Sequence, residues 1–485
     1  MAEKYHIVDK MQFNTDITEV RWLEDEQLWE AKLLHMVPGT GDLSQRDRQK
    51  MIEKKGWESV YLKEEMVRAK IVCSCAGGLV EPHAWPDNIP GKDQFEGDIF
   101  HSARWDYNVN LQDKNVVVVG TGCSAAQFVP QLTKEPYNAK SVLQIMRSPP
   151  WVVPRQIPPF GHKSWEKYSP WLFSNIPGLG RLMRTLTFLA IEKDFHDYFL
   201  GTPRAIKGRE AREKDLIKHL KEHVPEKYHE ILTQDYSVGC KRQIYDASWF
   251  PGLNDPKINL TTQPLTSLQP HGVTIGPGRS YPDPKDSTSK APSDEVKLPA
   301  DTIILGRSFS EPSLPCLCKR ICIETSAASL LTGMSHSSFS CSRKAMLTPP
   351  FMTANGFDTT SWLSPLKVIG KDGHAMHDVW KARGGAQAYM GNAMDGFPNF
   401  FIIFGPNTAT GHSSVILASE NMVEYTIKFI RQILNGDVRT FDVKKEKEEA
   451  WTRDIQEKLK GTVWMSGGCS SWYKTADGWN ATAYP

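Results

Sequence analysis

No run of apolar residues in this 485-residue chain approaches the roughly 20 that a bilayer span requires. The longest candidate, around Leu179 to Ala190, is interrupted by Arg181, Arg184 and Thr187. An excess of one charge is also missing. Lys and Arg number 58 against 56 Asp and Glu, and the balance of +2 makes no field for gripping nucleic acid or an anionic membrane. The opening residues, MAEKYHIVDKMQFNTD, lack the apolar run of roughly 7 to 15 residues that a secretory signal carries, so a cytoplasmic protein is expected. The nine cysteines, Cys73, Cys75, Cys123, Cys240, Cys316, Cys318, Cys322, Cys341 and Cys469, make no regular framework and read as reduced thiols. What is present is ordinary globular composition, 40% hydrophobic and 24% charged, with length for about two or three domains.

Residues 69 to 76 are small and β-branched before Gly77 and Gly78, which suits a buried strand entering a turn. Pro82, Pro86 and Pro90 make the stretch to Gly91 an extended linker. Val116 to Val119 form a strand ending in Gly120-Thr121-Gly122, Cys123 to Leu132 follow with helical spacing, and Val142 to Met146 are a second strand. That is a β-turn-α-β unit with parallel strands. Residues 155 to 235 read as an all-helical insertion. Strands return near Ile258 to Thr262 and at Asp301 to Leu305, with a surface loop over 276 to 300. Phe397 to Phe404 read as a buried strand ending at Gly405-Pro406-Asn407. A helix runs from about Val415 to Leu434, capped by Ser413 or Ser414 and stopped by Gly436.

Residues 306 to 353 have a different composition. Ten of the 48 are Ser and four are Cys, while Asp, Asn, Gln, Val, Trp and Tyr are absent, and no strand or helix period is sustained. Cys316, Cys318 and Cys322 do not have a zinc spacing, so no metal is expected. His219-Leu220-Lys221-Glu222-His223 fits the HxxEH pattern of inverted zinc peptidases. Pro225 stops that helix at once, and the Lys- and Glu-rich surroundings favour a solvated helix face.

The strongest local chemistry is Gly120-Thr121-Gly122-Cys123-Ser124-Ala125, a GxGxxA turn between a strand and a helix. Gly120 allows the tight turn, Gly122 lets backbone approach a pyrophosphate, Ala125 allows close helix packing, and the helix N-terminus meets the phosphate charge. The plainer reading is a glycine turn serving packing alone. After the second strand stands Arg147-Ser148, where an NAD site would carry an acidic residue. A guanidinium suits a 2′-phosphate, so NADPH is favoured, with a solvated arginine as the alternative.

Upstream, Phe95, Gly97, His101, Trp105 and Asp106 fall at the spacing FxGxxxHxxxWD. Physics alone makes these domain-docking residues. The segment resembles the signature of the Baeyer-Villiger monooxygenases, the class B flavoprotein monooxygenases, and the resemblance runs along most of the chain. Ala76-Gly77-Gly78-Leu79 and the proline-rich linker look like the family's first linker, and Cys240-Lys241-Arg242 looks like the segment whose arginine reaches over the flavin. Asn355, Gly356, Phe357 and Asp358, after Ala354, look like its ATGFD motif with Asn for Thr. Phe397 to Asn407, with Asn399, Gly405, Pro406 and Asn407, looks like its flavin-facing strand. The segment 467–473, with Trp472, looks like the C-terminal part beside the NADP ribose.

The resemblance implies an α/β flavoprotein with two dinucleotide-binding, Rossmann-like domains, FAD and NADPH as cofactors, and oxygen insertion from O₂ next to a ketone. The implied setting is fungal secondary metabolism, of polyketide or mycotoxin type. Arg242 would supply the cation beside the reacting oxygen, with Lys241 and Arg147 on the 2′-phosphate, Trp472 on the nicotinamide ribose and His101 positioning the linker. The family opens with an FAD-binding unit carrying its own GxGxxG, and no second such turn occurs in this sequence. The implied layout is therefore a remnant of the FAD domain with linker at 1–107, an NADP domain at 108–154 and 236–305, and the helical insertion at 155–235. An anomalous insert at 306–353 and the rest of the FAD domain at 354–485 complete it. Joining Ile303-Ile304-Leu305 to Ala354-Asn355-Gly356 restores the family pattern, so 306–353 reads as a translated intron. The competing expectation is a flavin-deficient, inactive remnant that binds NADP or a partner.

Overall fold

The computed structural model describes residues 3–77, 85–86, 88–154, 158, 160–246, 248–279, 292–306, 362–409, 414–469, 473–475 and 477–484, with Asp246 by backbone alone. In chain order the elements begin with β1 (Thr15–Leu23), β2 (Leu28–Met36), α1 (Gln45–Lys55), β3 (Tyr61–Ala69), β4 (Val72–Ser74) and β5 (Asp98–His101). Next come β6 (Asn115–Val119), α2 (Cys123–Leu132), β7 (Ser141–Ile145), β8 (Val152–Pro154), α3 (Gly161–Asn175), α4 (Leu179–Asp194), α5 (Pro203–His223) and α6 (His229–Leu232). They continue with β9 (Ile244–Asp246), α7 (Trp249–Gly252), β10 (Ile258–Thr261), β11 (Leu265–Gln269), β12 (Gly272–Ile275), β13 (Val296–Pro299) and β14 (Thr302–Leu305). The last third holds β15 (Lys367–Ile369), α8 (Met376–Ala382), β16 (Phe400–Ile402), α9 (Val415–Asn435), α10 (Lys445–Lys460) and α11 (Val463–Ser466).

Val116 to Val119 are all buried, as an inner strand covered on both faces must be. They form the middle of a five-stranded sheet, ordered β10-β7-β6-β14-β5, in which every pair is parallel. The chain leaves β6 toward β7 and β10 and returns on the other side at β14. The strand order therefore reverses at the carboxyl end of β6, where Gly120 stands, and ligands of open parallel sheets bind at such a reversal. Ala125, Ala126 and Val129 of α2 are fully buried against this sheet. Two expected boundaries shift. β5 joins the sheet although it precedes residue 108, and Gly306 continues β14 by donating its N–H to the Val119 carbonyl at 2.8 Å. The remainder of 306–353, with its expected intron origin, lies outside the described residues.

The loop expected over 276–300 ends earlier than read. Val296–Pro299 is β13, paired antiparallel with β12 in a sheet ordered β11-β12-β13. Its four residues hold a single alternation, too short for the pattern to register. Residues 161–232 are largely helical, α3 to α6. His219 and His223 lie one turn apart on α5 with rings 4.3 Å apart, and the described residues contain no cluster of three or more metal-ligating side chains. No described helix is long and apolar enough to cross a membrane.

The other half is built on β15-β1-β2-β3, a mixed sheet, and on a parallel pair, β4 with β16. The strand read over 69–76 is divided. β3 ends at Ala69 in the first sheet, and β4 begins at Val72 beside Phe400 in the second. The strand read over Phe397 to Phe404 shrinks to Phe400–Ile402, because Asn399 (φ +53°) and Phe404 (φ +59°) bend the chain out of the ladder. Distant side chains hold this pair. The Trp29 indole N–H donates to the Pro398 carbonyl at 2.7 Å, and the Asn399 amide donates to Lys70 and Arg439 and accepts from Phe441 N–H. The Asn407 amide donates to the carbonyls of Asn480 and Ala483. Arg383 grips Asp395 with both terminal nitrogens, at 2.6 and 2.9 Å, and reaches fully buried Glu448 on α10 at 2.5 Å. The helix expected from Val415 is α9, capped by Ser414 and ended by Gly436 at φ +84°.

Candidate functional site

At the carboxyl end of β6 the chain must reverse, and Gly120 does so at φ +116°, a backbone that side-chain-bearing residues rarely adopt. The turn is fixed from beneath. Gly120 N–H donates to the Ile145 carbonyl, and the Gln144 amide donates to the Gly120 carbonyl at 2.9 Å. Gln144 in turn accepts from the Trp249 indole at 2.9 Å, and both side chains are fully buried. Gly122 is the N-cap residue of α2, and no side chain caps that end. Its first-turn amides and partial positive charge are therefore available to an anion. Ser124 is half-buried in that first turn. Buried Ala125 leaves just enough space for Gly306, where an added Cβ would stand 3.1 Å from the Ala125 Cβ.

Beside this turn the structure brings a lysine from a distant segment to the end of β7. The Thr121 hydroxyl donates to the Ser148 carbonyl at 3.4 Å, and Lys241 Nζ donates to Ser148 Oγ at 2.9 Å, so Lys241 meets the residue next to Arg147 across 93 residues. Lys241 Nζ also lies 4.7 Å from the centre of the Tyr236 ring, whose hydroxyl donates to the Pro149 carbonyl at 2.6 Å. The cysteines are not all reduced thiols. Cys240 and Cys469 form a disulfide across 229 residues, a pairing that no spacing pattern reveals. Ser237 N–H donates to the Gly467 carbonyl at 2.9 Å alongside it, and buried Cys469 and Tyr473 share a core with Cys240 and Tyr236. The C-terminal segment thus borders the Lys241 cluster, although Trp472 itself lies outside the described residues. Arg242 is exposed, its charge acts on Tyr245, and nothing among the described residues ties it to β16.

The linker signature has a packing explanation at each position. Phe95 is buried among the residues over which β11 and β12 pack. At Gly97 any Cβ would stand 2.2 Å from the Asp301 carbonyl oxygen, so that position excludes every other residue. His101 ends β5, is buried, and accepts from Ala103 N–H at 3.0 Å on Nδ1. Trp105 lies edge-on to Phe100 and to Phe128 of α2, at 5.2 and 5.4 Å, and so pins the linker to the helix behind the glycine turn. Asp106 closes a local turn by accepting from Asn108 N–H.

On the β16 side the structure brings together Asn399, Gly405, Pro406 and Asn407, all buried, but both asparagine amides are spent on backbone groups. Asn355, Gly356, Phe357 and Asp358 lie outside the described residues. Three residues that sequence reading passed over support the site: Gln144 and Trp249 under the glycine turn, and Tyr236 under Lys241. A lone amide inside the apolar strand Val142 to Ile145 was a signal for the first of them.

Residues 40–162 match the family model described as flavin-binding monooxygenase-like. A Baeyer-Villiger monooxygenase of Streptomyces coelicolor is 29% identical over 445 residues, covering 90% of this chain and 70% of that protein. One from Pseudomonas aeruginosa is 27% identical over 488 residues and is covered to 71% of its length. The FAD-binding monooxygenase ktnD of Aspergillus niger is 25% identical, and the chain spans 64% of it. Among solved structures, an oxidized steroid monooxygenase bound to NADP superimposes with a TM-score of 0.65 at 18% identity, over 100% of this chain and 78% of that one. OTEMO in complex with FAD and NADP gives 0.64 at 18%, with the same coverage. The fold is that of the two-domain FAD- and NADP-binding monooxygenases.

Proposed function

We propose, for a chain that is a relative of the flavin-binding, Baeyer-Villiger-type monooxygenases, an NADPH- and FAD-dependent oxygenation that inserts one atom of O₂ next to a ketone carbonyl. The observation that carries the reading is the junction of the Gly120 turn with Ser148 and Lys241, next in sequence to Arg147, at the reversal point of a parallel sheet. The residues present fit NADPH. The open N-terminus of α2 would meet the pyrophosphate, and the two cations would meet the 2′-phosphate, which NADH lacks. When bound, the nicotinamide supplies hydride; the chain's part is to hold its phosphates and orient its ribose end against the disulfide-linked C-terminal segment.

The residues present do not make a whole FAD site. β4 and β16 offer the carboxyl ends of two parallel strands, but no described residue repeats the glycine turn, so the flavin's pyrophosphate has no seat among them. The second reading is an NADP-binding relative without flavin. Arg242 is retained as the cation for oxygen transfer. Its replacement by Ala is expected to spare NADPH binding and to end ketone-dependent turnover. The likeness to an FAD-binding monooxygenase of the fungus Aspergillus niger is in keeping with a fungal setting, for which secondary metabolism is the role proposed.

Cofactor titration tests the reading. Arg147→Ala should weaken NADPH binding by about 1.5–3 kcal/mol, roughly tenfold to a hundredfold, and leave NADH unchanged. Equal losses for both would place Arg147 away from the phosphate and remove NADPH preference from the proposal. The visible spectrum of the purified chain, with and without added FAD, separates the first reading from the second.

A further inference from the structure

The HxxEH segment, His219 to His223, forms the last turn of α5 and has no part in holding a nicotinamide cofactor. A spacing of four on a helix brings two side chains to the same face one turn apart. The two imidazoles accordingly face each other, with ring centres 4.3 Å apart and planes tilted by 47°. A helix end ordinarily frays, but this one is fastened. Leu216 and Leu220 are buried beneath it, Val224 N–H donates to the Leu220 carbonyl at 3.0 Å, and the Asn254 amide donates to the His223 carbonyl at 2.9 Å. His219 is half-buried, and its ring rests 5.7 Å from that of buried Phe250. Both imidazoles therefore stand on fixed backbone, and His223 is exposed at the outer edge.

The hydrogen bonds of the pair leave nitrogen lone pairs open. His223 Nδ1 lies 2.9 Å from the His219 carbonyl oxygen. A carbonyl can only accept, so Nδ1 carries the hydrogen and the lone pair of the neutral ring is on Nε2. Donation of one ring N–H to a backbone carbonyl is the arrangement that orients a metal-binding histidine and raises its basicity. The ring nitrogens of His219 make no hydrogen bond among the described residues, its contacts being the rings of His223 and Phe250. The neighbouring charges are occupied or remote. Glu222 pairs with Lys218 at 3.8 Å, and Lys221 falls on the opposite side of the helix. No third metal-ligating side chain joins the two among the described residues, which separates the pair from a peptidase centre with three protein ligands.

We propose that His219 and His223 form a two-imidazole chelate for one divalent transition-metal ion of the Zn²⁺, Ni²⁺ and Cu²⁺ class. His223 Nε2 and one ring nitrogen of His219 bind the ion, and water fills its other positions. Imidazole suits these metals, whereas Mg²⁺ and Ca²⁺ require oxygen ligands that the pair does not offer.

The test adds Zn²⁺ alone to the full chain, followed by calorimetry and by NMR of the histidine rings. One equivalent should move the signals of His219 and His223 together, and Mg²⁺ at the same concentration should move neither. His223→Asn changes an exposed position. It should lower Zn²⁺ affinity by more than the roughly 10- to 100-fold that loss of an outer partner costs, and the His219 signals should cease to respond. His219→Asn should silence His223 in the same way; if that variant does not fold, the His223 variant decides alone. No shift at millimolar Zn²⁺, movement of one ring without the other, an equal response to Mg²⁺, or unchanged affinity in His223→Asn would each overturn the assignment.

Discussion

The turn at Gly120 and the turn at Gly405 each follow a buried parallel strand, yet they are held by different means. The first sits in a five-stranded sheet, and its ties come from the adjoining strands: Gln144 and Ile145 from β7, and Gly306 from the end of β14. The second follows a strand with one ladder partner among the described residues, and remote chain ties that strand at both ends: Trp29 at Pro398 and Lys70 and Arg439 at Asn399 before it, Asn480 and Ala483 at Asn407 in the turn. Parallel strands are ordinarily covered and flanked within wide sheets, and a two-stranded sheet is marginal alone. Where the ladder is narrow, side-chain bonds to distant backbone take over its positioning role.

The largest effect expected from this contrast is at Trp29. Trp29→Ala deletes a fully buried ring and the bond to Pro398, which should cost about 3–5 kcal/mol. Calorimetry should then show an early transition for the β16 half, with NADPH still bound by the other. A single unsplit transition would mean that the two regions do not differ as described. Next comes Gln144→Leu, which strips buried partners from the Gly120 carbonyl and the Trp249 indole and should cost about 2 kcal/mol. NADPH affinity should fall with it, and the β16 half should be unaffected.

A third effect, on the order of 1–2 kcal/mol, concerns pH. Burial, reinforced by a hydrogen bond to Asp395, pushes Glu448 up to about 7 from an ordinary 4.5. Burial also pushes Asp395 upward, but the Arg383 guanidinium and the Glu448 bond outweigh it and hold Asp395 below its usual range. The raised group stabilises the fold when protonated, so its contribution is full below about pH 4.5 and is lost as pH rises through about 7. Thermal melts across that window should show the β16 half weakening, and Glu448→Gln should flatten the slope. The smallest effect is at Ser414, where Ala removes the α9 cap for about 1 kcal/mol, again read in the β16 half alone.

These expectations also mark where the sequence was readable. The β6-α2-β7 unit and α9 announce themselves by four valines, a glycine turn, helical spacing and caps, all local signals. The strand around Phe400 was read too long, because positive φ at Asn399 and Phe404 is a tertiary outcome that aromatic residues do not advertise. Arg147 was legible from its place after the second strand, whereas Lys241 came only through family resemblance, since 93 residues separate it from Ser148. Gly97 and Trp105 were visible as a signature, but the steric and aromatic reasons for them needed neighbours at Asp301, Phe100 and Phe128.

The bridge between Cys240 and Cys469 turns the second half of the chain into a covalent ring with two tails. A protease cut anywhere between Lys241 and Gly468 opens the ring without releasing a fragment. The product migrates as two bands with reductant and as one without it. The anomalous stretch after Gly306 lies inside that ring, so its cleavage or its wholesale deletion leaves Lys241 anchored to the C-terminal segment by the same bond. A break on the N-terminal side of Cys240, within the helices from Gly161 to His223, frees the pieces to part unless packing alone retains them.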